Sequence, residues 1–597
     1  MNSPTVKLLE LWKASSEMTV GEITRYRIRF DPKKLRKSTI WPPQNLVLKV
    51  KNTTPIIYTI AILTGPYNIS ATCIETKHND CSIFKQPLEI IPQTKAGIKC
   101  GETWEIKLNL GTGNSNEGEE EWIGDWTIEV LSDILFTNNK VQYEVILFAE
   151  LTNITDELEE FLILDHKVKH EEEYQDGPTI IKASSPSISF EYFKPADVFS
   201  LPDLNEINKQ NKPIHLVVLT HGIHGSMLDE LYLKESIEEK CKDQSENEVV
   251  VYMSDVNHSG TEDGIENCGK RLAKNILVYV GWPSDNIFSS ITSSSLVSPS
   301  KSKNFNCNRN LISKISFIGH SLGGLINVFL VGYLNNVTNG TFFKEVKPIH
   351  FITIASPLLG STDLAWYLQF GMKLGAIGQT GKDLALIPRS KDEQHSASGV
   401  LEEGNSFPNI DSLNEEPLLL SLSRSNSSSH IALKSFKSRT LYANITNDVP
   451  VSLKSSSLYF INHYNGDDYV KDHSQITLLN QFKHLITTLM PPETTREYLN
   501  KSFSAKSPII HDKLYLPSDI PPIPDTFSTS FEKDDDEEYH ELPIEEQMAR
   551  FWHKDMSWRK VLVRLEGEAH THVIVRRKWQ DAPGWQVINH LLNNHTF

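Results

Sequence analysis

The segment Gly319-His-Ser-Leu-Gly-Gly324 constrains the fold of this 597-residue chain more than any other. A strand-like run, Lys314–Ile318, precedes it, and an apolar helical pattern, Leu322–Leu334, follows it. So tight a strand-to-helix turn needs glycines where Cβ atoms would clash, which accounts for Gly319 and Gly323. We therefore predict a nucleophile elbow whose tip exposes a serine hydroxyl, made of Gly319, His320, Ser321 and Gly323, with Ser321 as the nucleophile.

The central part of the chain alternates between strand and helix patterns. Continuous apolar runs such as Ile214–Thr220 and Ile349–Ile354 are typical of strands that are buried on both faces of a parallel sheet. Helical patterns such as Gly264–Tyr279 separate these runs, and the alternation resumes at Thr440–Ile445 and closes with Lys560–Leu565. The predicted fold class is an α/β hydrolase with a doubly wound, mostly parallel sheet.

The N-terminal third follows another rhythm, because segments such as Glu22–Phe30 and Trp126–Val130 alternate apolar and polar residues. We predict an all-β, sandwich-like domain over residues 1–190 and the α/β-hydrolase domain over residues 191–597. The second domain is expected to contain insertions rich in polar or acidic residues, near 289–310, 388–437 and 517–541. The first domain shows no catalytic constellation, so it is interpreted as a packing or interaction domain, with lipid docking as the alternative.

A nucleophilic serine needs a base and an orienting acid, which follow it in the order acid, then histidine, in this fold. Asp448 comes just after the predicted next-to-last strand, whereas the competing Asp363 comes soon after an earlier strand. His570 and His572 both follow the last strand, and His570 is preferred because it is nearer the strand end. The predicted triad is therefore Ser321, Asp448 and His570. Histidines that precede the last strand are expected to lie on the surface, namely His463, His473, His511 and His553.

The segment Leu219–Gly225 follows the first strand of the α/β domain, where this fold places one donor of the oxyanion hole. We predict that the backbone N–H groups of Ile223 and Leu322 hold the oxyanion. Glycines at 222 and 225 would let the main chain approach the substrate. The neighbouring histidines are predicted to be structural, namely His221, His224 and His320.

The composition excludes several classes of function. There are 59 Lys and Arg residues against 76 Asp and Glu, a net charge of −17, which argues against nucleic-acid binding and against docking on anionic lipid through a basic face. No apolar run is long enough to span a membrane, and the first ten residues lack a signal-peptide core. We expect a cytoplasmic protein without a metal ion or other cofactor, because no zinc-type spacing joins the late histidines and glutamates.

Several segments together resemble one known family. They are Gly21–Tyr26, His221–Gly225, Gly319–Gly324, Thr380–Asp383, Tyr442–Asp448, and Ala569–His570 followed by Val573–Arg577. This set is similar to the fungal members of the putative serine esterase family, which includes lipid-droplet phospholipases and monoacylglycerol lipases. The resemblance implies a Ser-Asp-His acyl hydrolase of lipid esters and supports Ser321, Asp448 and His570. Leu358 departs from the family, because many members have histidine there, and this affects the expected shape of the acyl pocket.

The resemblance leaves several questions open. The substrate is expected to be a lipid ester, either monoacylglycerol or phospholipid, reached by peripheral contact with a lipid droplet or an internal membrane. The alternatives are a non-catalytic α/β-hydrolase scaffold and an acyltransferase that uses the same triad. Residues 364–386 are interpreted either as a lid that meets lipid or as ordinary cap packing. The head group, the acyl length and the oligomeric state stay open at this point.

Overall fold

The chain divides into two compact units in the computed structural model: Met1–Ser200 with Thr487–Phe503, and Leu201–Ile486 with Ser504–Phe597. Of the segments predicted to be insertions, 289–310 lies outside the described residues, and 517–541 is described only to residue 523. The described residues are 6–31, 45–55, 67–76, 92–110, 124–132, 140–152, 172–207, 212–242, 247–282, 311–362, 378–388, 416–460, 496–504, 506–523 and 542–597.

The first unit consists of antiparallel β-structure. Its strands are β1 (Val6–Thr19), β2 (Ile23–Phe30), β3 (Asn45–Asn52), β4 (Ile69–Glu75), β5 (Gln93–Ile98), β6 (Thr103–Asn109), β7 (Gly124–Ser132), β8 (Lys140–Thr152), β9 (Glu172–Asp176), β10 (Thr179–Ala183) and β11 (Ile188–Phe193). They form a six-stranded sheet of order β6-β3-β8-β1-β10-β9 and a five-stranded sheet of order β11-β2-β7-β4-β5.

The alternating pattern that predicted these strands has a direct structural counterpart. Along β2, buried side chains alternate with half-buried ones, so that one face joins the core of the unit. That core includes Trp12, Tyr26 and Tyr143, all nearly inaccessible to solvent. The hydroxyl groups of Tyr26 and Tyr143 lie 2.9 Å apart, which satisfies the polar ends of two otherwise apolar side chains.

A seven-stranded sheet is the centre of the second unit. Its strands are β12 (Ile214–Thr220), β13 (Glu248–Tyr252), β14 (Ile312–His320), β15 (Lys347–Ile354), β16 (Ser438–Asn444), β17 (Ile509–Tyr515) and β18 (Trp558–Val563). The order is β13-β12-β14-β15-β16-β18-β17, and each neighbouring pair is parallel except β17 with β18. All residues of β12 are buried, as its continuous apolar sequence predicts for a strand covered on both faces.

The described helices, in chain order, are α1 (Pro195–Val198), α2 (Leu204–Ile207), α3 (Leu231–Cys241), α4 (Ile265–Tyr279), α5 (Leu322–Val337), α6 (Phe342–Glu345), α7 (Gly378–Leu384), α8 (Leu418–Ser423), α9 (Ser428–Lys434), α10 (Leu453–Ser456), α11 (Arg496–Ser504), α12 (Ile544–His553), α13 (Ala569–His572) and α14 (Trp585–Asn594). In the described ranges, no helix has both the length and the apolar character needed to cross a bilayer. Helix α5 follows the predicted elbow directly and buries most of its residues in the core of the second unit.

The segment 388–437, predicted to be an insertion with little regular structure, differs from that prediction in its second half. Residues 416–437 are described, and they form α8 and α9. Leucines of α8 and α9 belong to the main core of the unit, and the backbone of Ser429 lies so close to Gly332 of α5 that a Cβ there would be 2.7 Å from the Ser429 nitrogen. Two helices of six and seven residues are too short for helical periodicity to stand out among the many serines.

Three histidines anchor the chain's C-terminal residues to strands of the central sheet. The ring of His350 contacts Ser438 through Nδ1 at 2.7 Å and donates from Nε2 to the Thr596 carbonyl at 2.9 Å. The ring of His595 donates from Nδ1 to the Leu591 carbonyl, and its Nε2 lies 2.9 Å from the Thr440 hydroxyl. Nε2 of His215 lies 2.8 Å from the Ser316 hydroxyl. Phe597 packs against the rings of His215 and His350.

This histidine cluster predicts a loss of stability in acid. Burial lowers the pKa of His215 and of His595 to about 3, from about 6.5 in an unfolded chain. The folded state therefore stays neutral where the unfolded state binds protons, so stability is full above pH ~6.5 and falls as the pH drops from there towards 3. Each group contributes up to about 1.4 kcal/mol per pH unit in that window.

We expect the free energy of unfolding, measured with urea, to be lower at pH 5 than at pH 7.5. The variant His595→Gln removes one titrating ring while leaving a side chain that can bond to Thr440, so its decrease should be smaller by up to about 2 kcal/mol. An equal decrease in both proteins would contradict this origin of the acid sensitivity.

Candidate active site

The chain turns from β14 into α5 through Ser321, which has φ 53° and ψ −126°. A serine with positive φ is strained, and the surrounding packing enforces the strain. A Cβ on Gly319 would lie 2.5 Å from the backbone of residues 323 and 324, and a Cβ on Gly323 would lie 1.9 Å from the Thr220 carbonyl oxygen. The glycines predicted from the motif are thus required by close backbone contacts, and Ser321 sits at the N-terminus of a 16-residue helix.

The structure brings the three predicted triad residues together. The Ser321 hydroxyl lies 3.0 Å from Nε2 of His570, and Nδ1 of His570 lies 3.0 Å from Oδ1 of Asp448. Since a carboxylate only accepts, the His570 proton is on Nδ1, which leaves Nε2 free to accept from the serine hydroxyl. Asp448 follows β16, and His570 lies on α13, which follows β18. The geometry is that of a nucleophile, a base and an orienting acid.

Asp448 is held from two further sides. Its Oδ2 accepts a 2.8 Å hydrogen bond from Asn444 Nδ2, and its Oδ1 accepts one of 3.1 Å from the Val451 N–H. Asn444 also donates to the carbonyl of Ala569, the residue before His570. Asn444 therefore joins the acid to the histidine's own backbone, a role that the sequence analysis missed. Its only signal in the sequence was a polar residue directly after the apolar run Leu441–Ala443 at the end of β16.

The predicted oxyanion donors belong to the start of α5 and to the loop that follows β12. Leu322 is the first residue of α5, so its N–H is one of the helix's N-terminal donors. Gly222, the residue before Ile223, lies so near that a Cβ on it would be 2.8 Å from Cβ of Ser321. The backbone of this loop thus passes close to Ser321 at Gly222, and Ile223 is half-buried.

The histidines predicted to be structural have partners other than the nucleophile. His320 Nε2 donates to the His570 carbonyl at 2.9 Å, and burial holds the pKa of His320 well below its usual value. His221 is buried, its Nδ1 lies 3.0 Å from the Gly222 carbonyl, and burial lowers its pKa. His224 contacts Glu262 at 2.6 Å. His320 therefore links the backbone of His570 to the turn between β14 and α5.

The competing candidates differ in their surroundings. Both ring nitrogens of His572 face other groups, the Glu566 carbonyl at 2.9 Å and the Asp581 carboxylate at 3.5 Å. Asp363, His463 and His473 lie outside the described residues. His553 was expected on the surface, but it is buried on α12, where its ring packs against Phe460, because every residue of that helix from Glu546 onwards is buried.

The segment interpreted as a lid or cap, residues 364–386, is described only from residue 378. That part contains α7, whose buried Thr380 donates to the Thr261 carbonyl at 2.6 Å and accepts from the Gly264 N–H at 2.9 Å. The Thr261 hydroxyl in turn accepts from the His224 N–H. Thr380 therefore binds the loop of residues 261–264, and that loop in turn contacts His224 in the segment Leu219–Gly225. Leu358, which departs from the family pattern, is buried in the main core.

One segment of the chain matches the model of a known protein family. Residues 210–458 match the family model described as "Putative serine esterase (DUF676)". This segment of the chain is therefore similar to the members of that family. The matched segment of the putative serine esterase model includes Ser321 and Asp448 and ends before His570.

Similarity to individual proteins extends over nearly the whole chain. "Putative lipase ROG1" of Saccharomyces cerevisiae is 29% identical over 661 residues, covering 99% of this chain and 84% of that protein. "Putative lipase YDL109C" of the same organism is 27% identical and covers 98% of this chain and 88% of its own length. A solved lipase-esterase related protein from Clostridium acetobutylicum covers 40% of this chain and 79% of its own, at 10% identity, but its TM-score of 0.18 is too low to support a fold assignment.

Proposed function

We propose that this chain is a serine lipase or esterase that hydrolyses acyl esters of lipids through Ser321, His570 and Asp448. The observation that carries the proposal is the continuous chain of contacts from Ser321 Oγ to His570 Nε2, 3.0 Å, and from His570 Nδ1 to Asp448, 3.0 Å. The names of the family and of its yeast members, putative serine esterase and putative lipase, support the reaction class.

The first step is acylation of the serine. Ser321 Oγ attacks the ester carbonyl carbon while His570 Nε2 takes the hydroxyl proton, and Asp448 stabilises the imidazolium that forms. When the tetrahedral intermediate collapses, the C–O bond to the alcohol breaks and His570 returns the proton to the leaving oxygen. The acyl group is then bound to Ser321 as an ester.

The second step repeats the first with water as the nucleophile. His570 takes a proton from water, the hydroxyl oxygen attacks the acyl-enzyme, and the fatty acid leaves as Ser321 recovers its proton. In both steps the N–H groups of Leu322 and Ile223 are proposed to stabilise the developing oxyanion, each contributing about 3 kcal/mol to lowering the barrier. No metal ion or other cofactor takes part in these steps.

The lipid nature of the substrate and the peripheral contact with a lipid droplet or membrane are part of the proposal. Hydrolysis and acyl transfer differ only in the acceptor that attacks the acyl-enzyme, so the triad geometry is compatible with both. Hydrolysis is preferred because the family and its relatives carry the names of esterases and lipases.

A panel of lipids incubated with the purified chain tests the proposal. We expect release of free fatty acid from monoacylglycerol or phospholipid, detected by mass spectrometry, with no need for added metal. Glycerol and lysolipid are included as acceptors, and acylated acceptors as the main product would favour the acyltransferase alternative. No turnover of any ester, short or long, would instead favour the non-catalytic scaffold.

A further inference from the structure

An ion pair joins two segments of the site that are 347 residues apart in sequence. Nε of Arg576 donates to Oδ1 of Asp229 at 2.7 Å. Both side chains are largely withdrawn from solvent, with exposed fractions of 17% for Arg576 and 9% for Asp229. An ion pair in such surroundings is screened little by salt, and the loss of either partner leaves a poorly solvated charge.

Asp229 lies against the turn that carries Ile223. It follows Ser226, whose side chain accepts from the Leu228 N–H and so shapes the end of this loop. A Cβ on Gly225 would lie 2.7 Å from Oδ2 of Asp229 and 3.1 Å from Nδ1 of His221. The carboxylate therefore lies next to the loop of residues 221–225 at Gly225, whereas Ser321 lies next to the same loop at Gly222.

Arg576 is placed by the turn that follows His570. The Arg576 N–H donates to the Thr571 carbonyl, and the Val575 N–H donates to the His572 carbonyl, which is the hydrogen-bond pattern of a Schellman motif. The left-handed position of that motif is usually glycine, but here it is Val575 with φ 57°. A buried β-branched residue in this conformation is a genuine outlier, and strain of this kind is retained where surrounding contacts enforce it.

A second buried carboxyl group lies next to the ion pair in sequence. Glu230, next to Asp229, is buried, and burial together with the Asp229 charge raises the pKa of the Glu230 carboxyl well above its usual range. Arg576 therefore pairs with a carboxylate whose charge disfavours ionisation of the neighbouring Glu230. If the guanidinium were removed, Asp229 would be an uncompensated charge beneath the oxyanion loop, and the loop would shift to hydrate it.

We propose that Asp229 and Arg576 are positioning residues, whose ion pair fixes the Ile223 segment relative to the turn that holds His570. The inference rests on the proposed function, because it assigns the pair to the oxyanion geometry of that same site. Neither residue is required to touch the substrate. The pair acts by keeping two loops from different ends of the chain at the distance that the transition state requires.

The test compares Arg576→Gln, Asp229→Asn and the double variant with Arg559→Gln, which breaks an ion pair with Asp512 between β17 and β18. Active sites are counted with a fluorophosphonate, and kcat and KM per counted site are measured on p-nitrophenyl butyrate. We expect each single site variant to lower kcat by about 30-fold or more with KM changed less than about threefold, because a small misplacement affects mainly the transition state. The double variant should lose no more than either single variant.

Arg576→Lys keeps the charge but not the directed Nε–H bond, so its kcat should fall between those of wild type and Arg576→Gln. Arg559→Gln should keep kcat within about twofold of wild type while also losing an ion pair. Normal kcat per counted site in Arg576→Gln and Asp229→Asn, or losses that simply add in the double variant, would overturn the positioning role while leaving the proposed function intact. A wild-type chain that neither reacts with the fluorophosphonate nor hydrolyses the ester would overturn both.

Discussion

Ser321→Ala is expected to lower kcat for ester hydrolysis by on the order of 10⁵-fold or more. The substitution removes the hydroxyl that contacts His570 Nε2 at 3.0 Å but keeps the Cβ that packs near Gly222. Alanine at position 321 would be subject to the same backbone strain as serine at this positive φ, so we expect the backbone of the elbow to be unchanged. Residual activity should come from substrate binding and the oxyanion donors alone, with water as the nucleophile.

The matched control for this variant is Ser356→Ala. The Ser356 hydroxyl lies beside the elbow, 3.3 Å from the Gly319 carbonyl oxygen, but contacts neither His570 nor Asp448 among the described hydrogen bonds. The kcat of Ser356→Ala should stay within about threefold of wild type. The melting temperatures of Ser321→Ala and Ser356→Ala should both be close to that of wild type. Equal turnover by Ser321→Ala and wild type would exclude Ser321 as the nucleophile.

Asp448→Asn is expected to lower kcat by about 10⁴-fold. An amide NH₂ directed at the ring would force His570 to present an acceptor at Nδ1 and a proton at Nε2, so the ring could no longer accept from Ser321. The opposite amide orientation is disfavoured too, since Asn444 Nδ2 and the Val451 N–H already point at the two carboxylate oxygens. Whichever way the amide turns, it meets a donor, so a lower melting temperature should accompany the loss of kcat.

Asp512→Asn is the control, because Asp512 also contacts a histidine, His590 Nε2 at 3.2 Å, in the same unit. That variant should retain kcat within about twofold. Circular dichroism and the melting temperature separate a folded, inactive Asp448→Asn from an unfolded one. If folded Asp448→Asn turned over at more than a tenth of the wild-type rate, Asp448 would not be the residue that orients His570.

The sequence was most informative where chemistry imposes a local pattern. The glycines around Ser321 are required by contacts within a few residues of the turn, so the motif alone predicted the elbow. The chain order of serine, acid and histidine narrowed the candidates for the base to His570 and His572, and His570 was preferred because it is nearer the end of the last strand. In the structure, both ring nitrogens of His572 face groups other than Ser321.

Contacts between distant parts of the chain could not be predicted from one sequence. Nothing near Asn444 indicates that its amide reaches both Asp448 and the Ala569 carbonyl, 125 residues away. The Asp229–Arg576 pair and the histidine cluster at the C-terminus are of the same kind, because each joins segments that only the fold brings together. Helices α8 and α9 were missed for a different reason, because short helices in a serine-rich segment leave no periodic signal.

Covalent labelling of the wild-type chain with a fluorophosphonate probe tests the central claim most directly, since the probe reacts with an activated serine and does not depend on the identity of the lipid. Proteolysis and mass spectrometry locate and count the label. The account predicts one label per chain, on Ser321, with none on Ser321→Ala and strongly slowed labelling of Asp448→Asn. A chain that stays unlabelled, or a label on another serine, would contradict it.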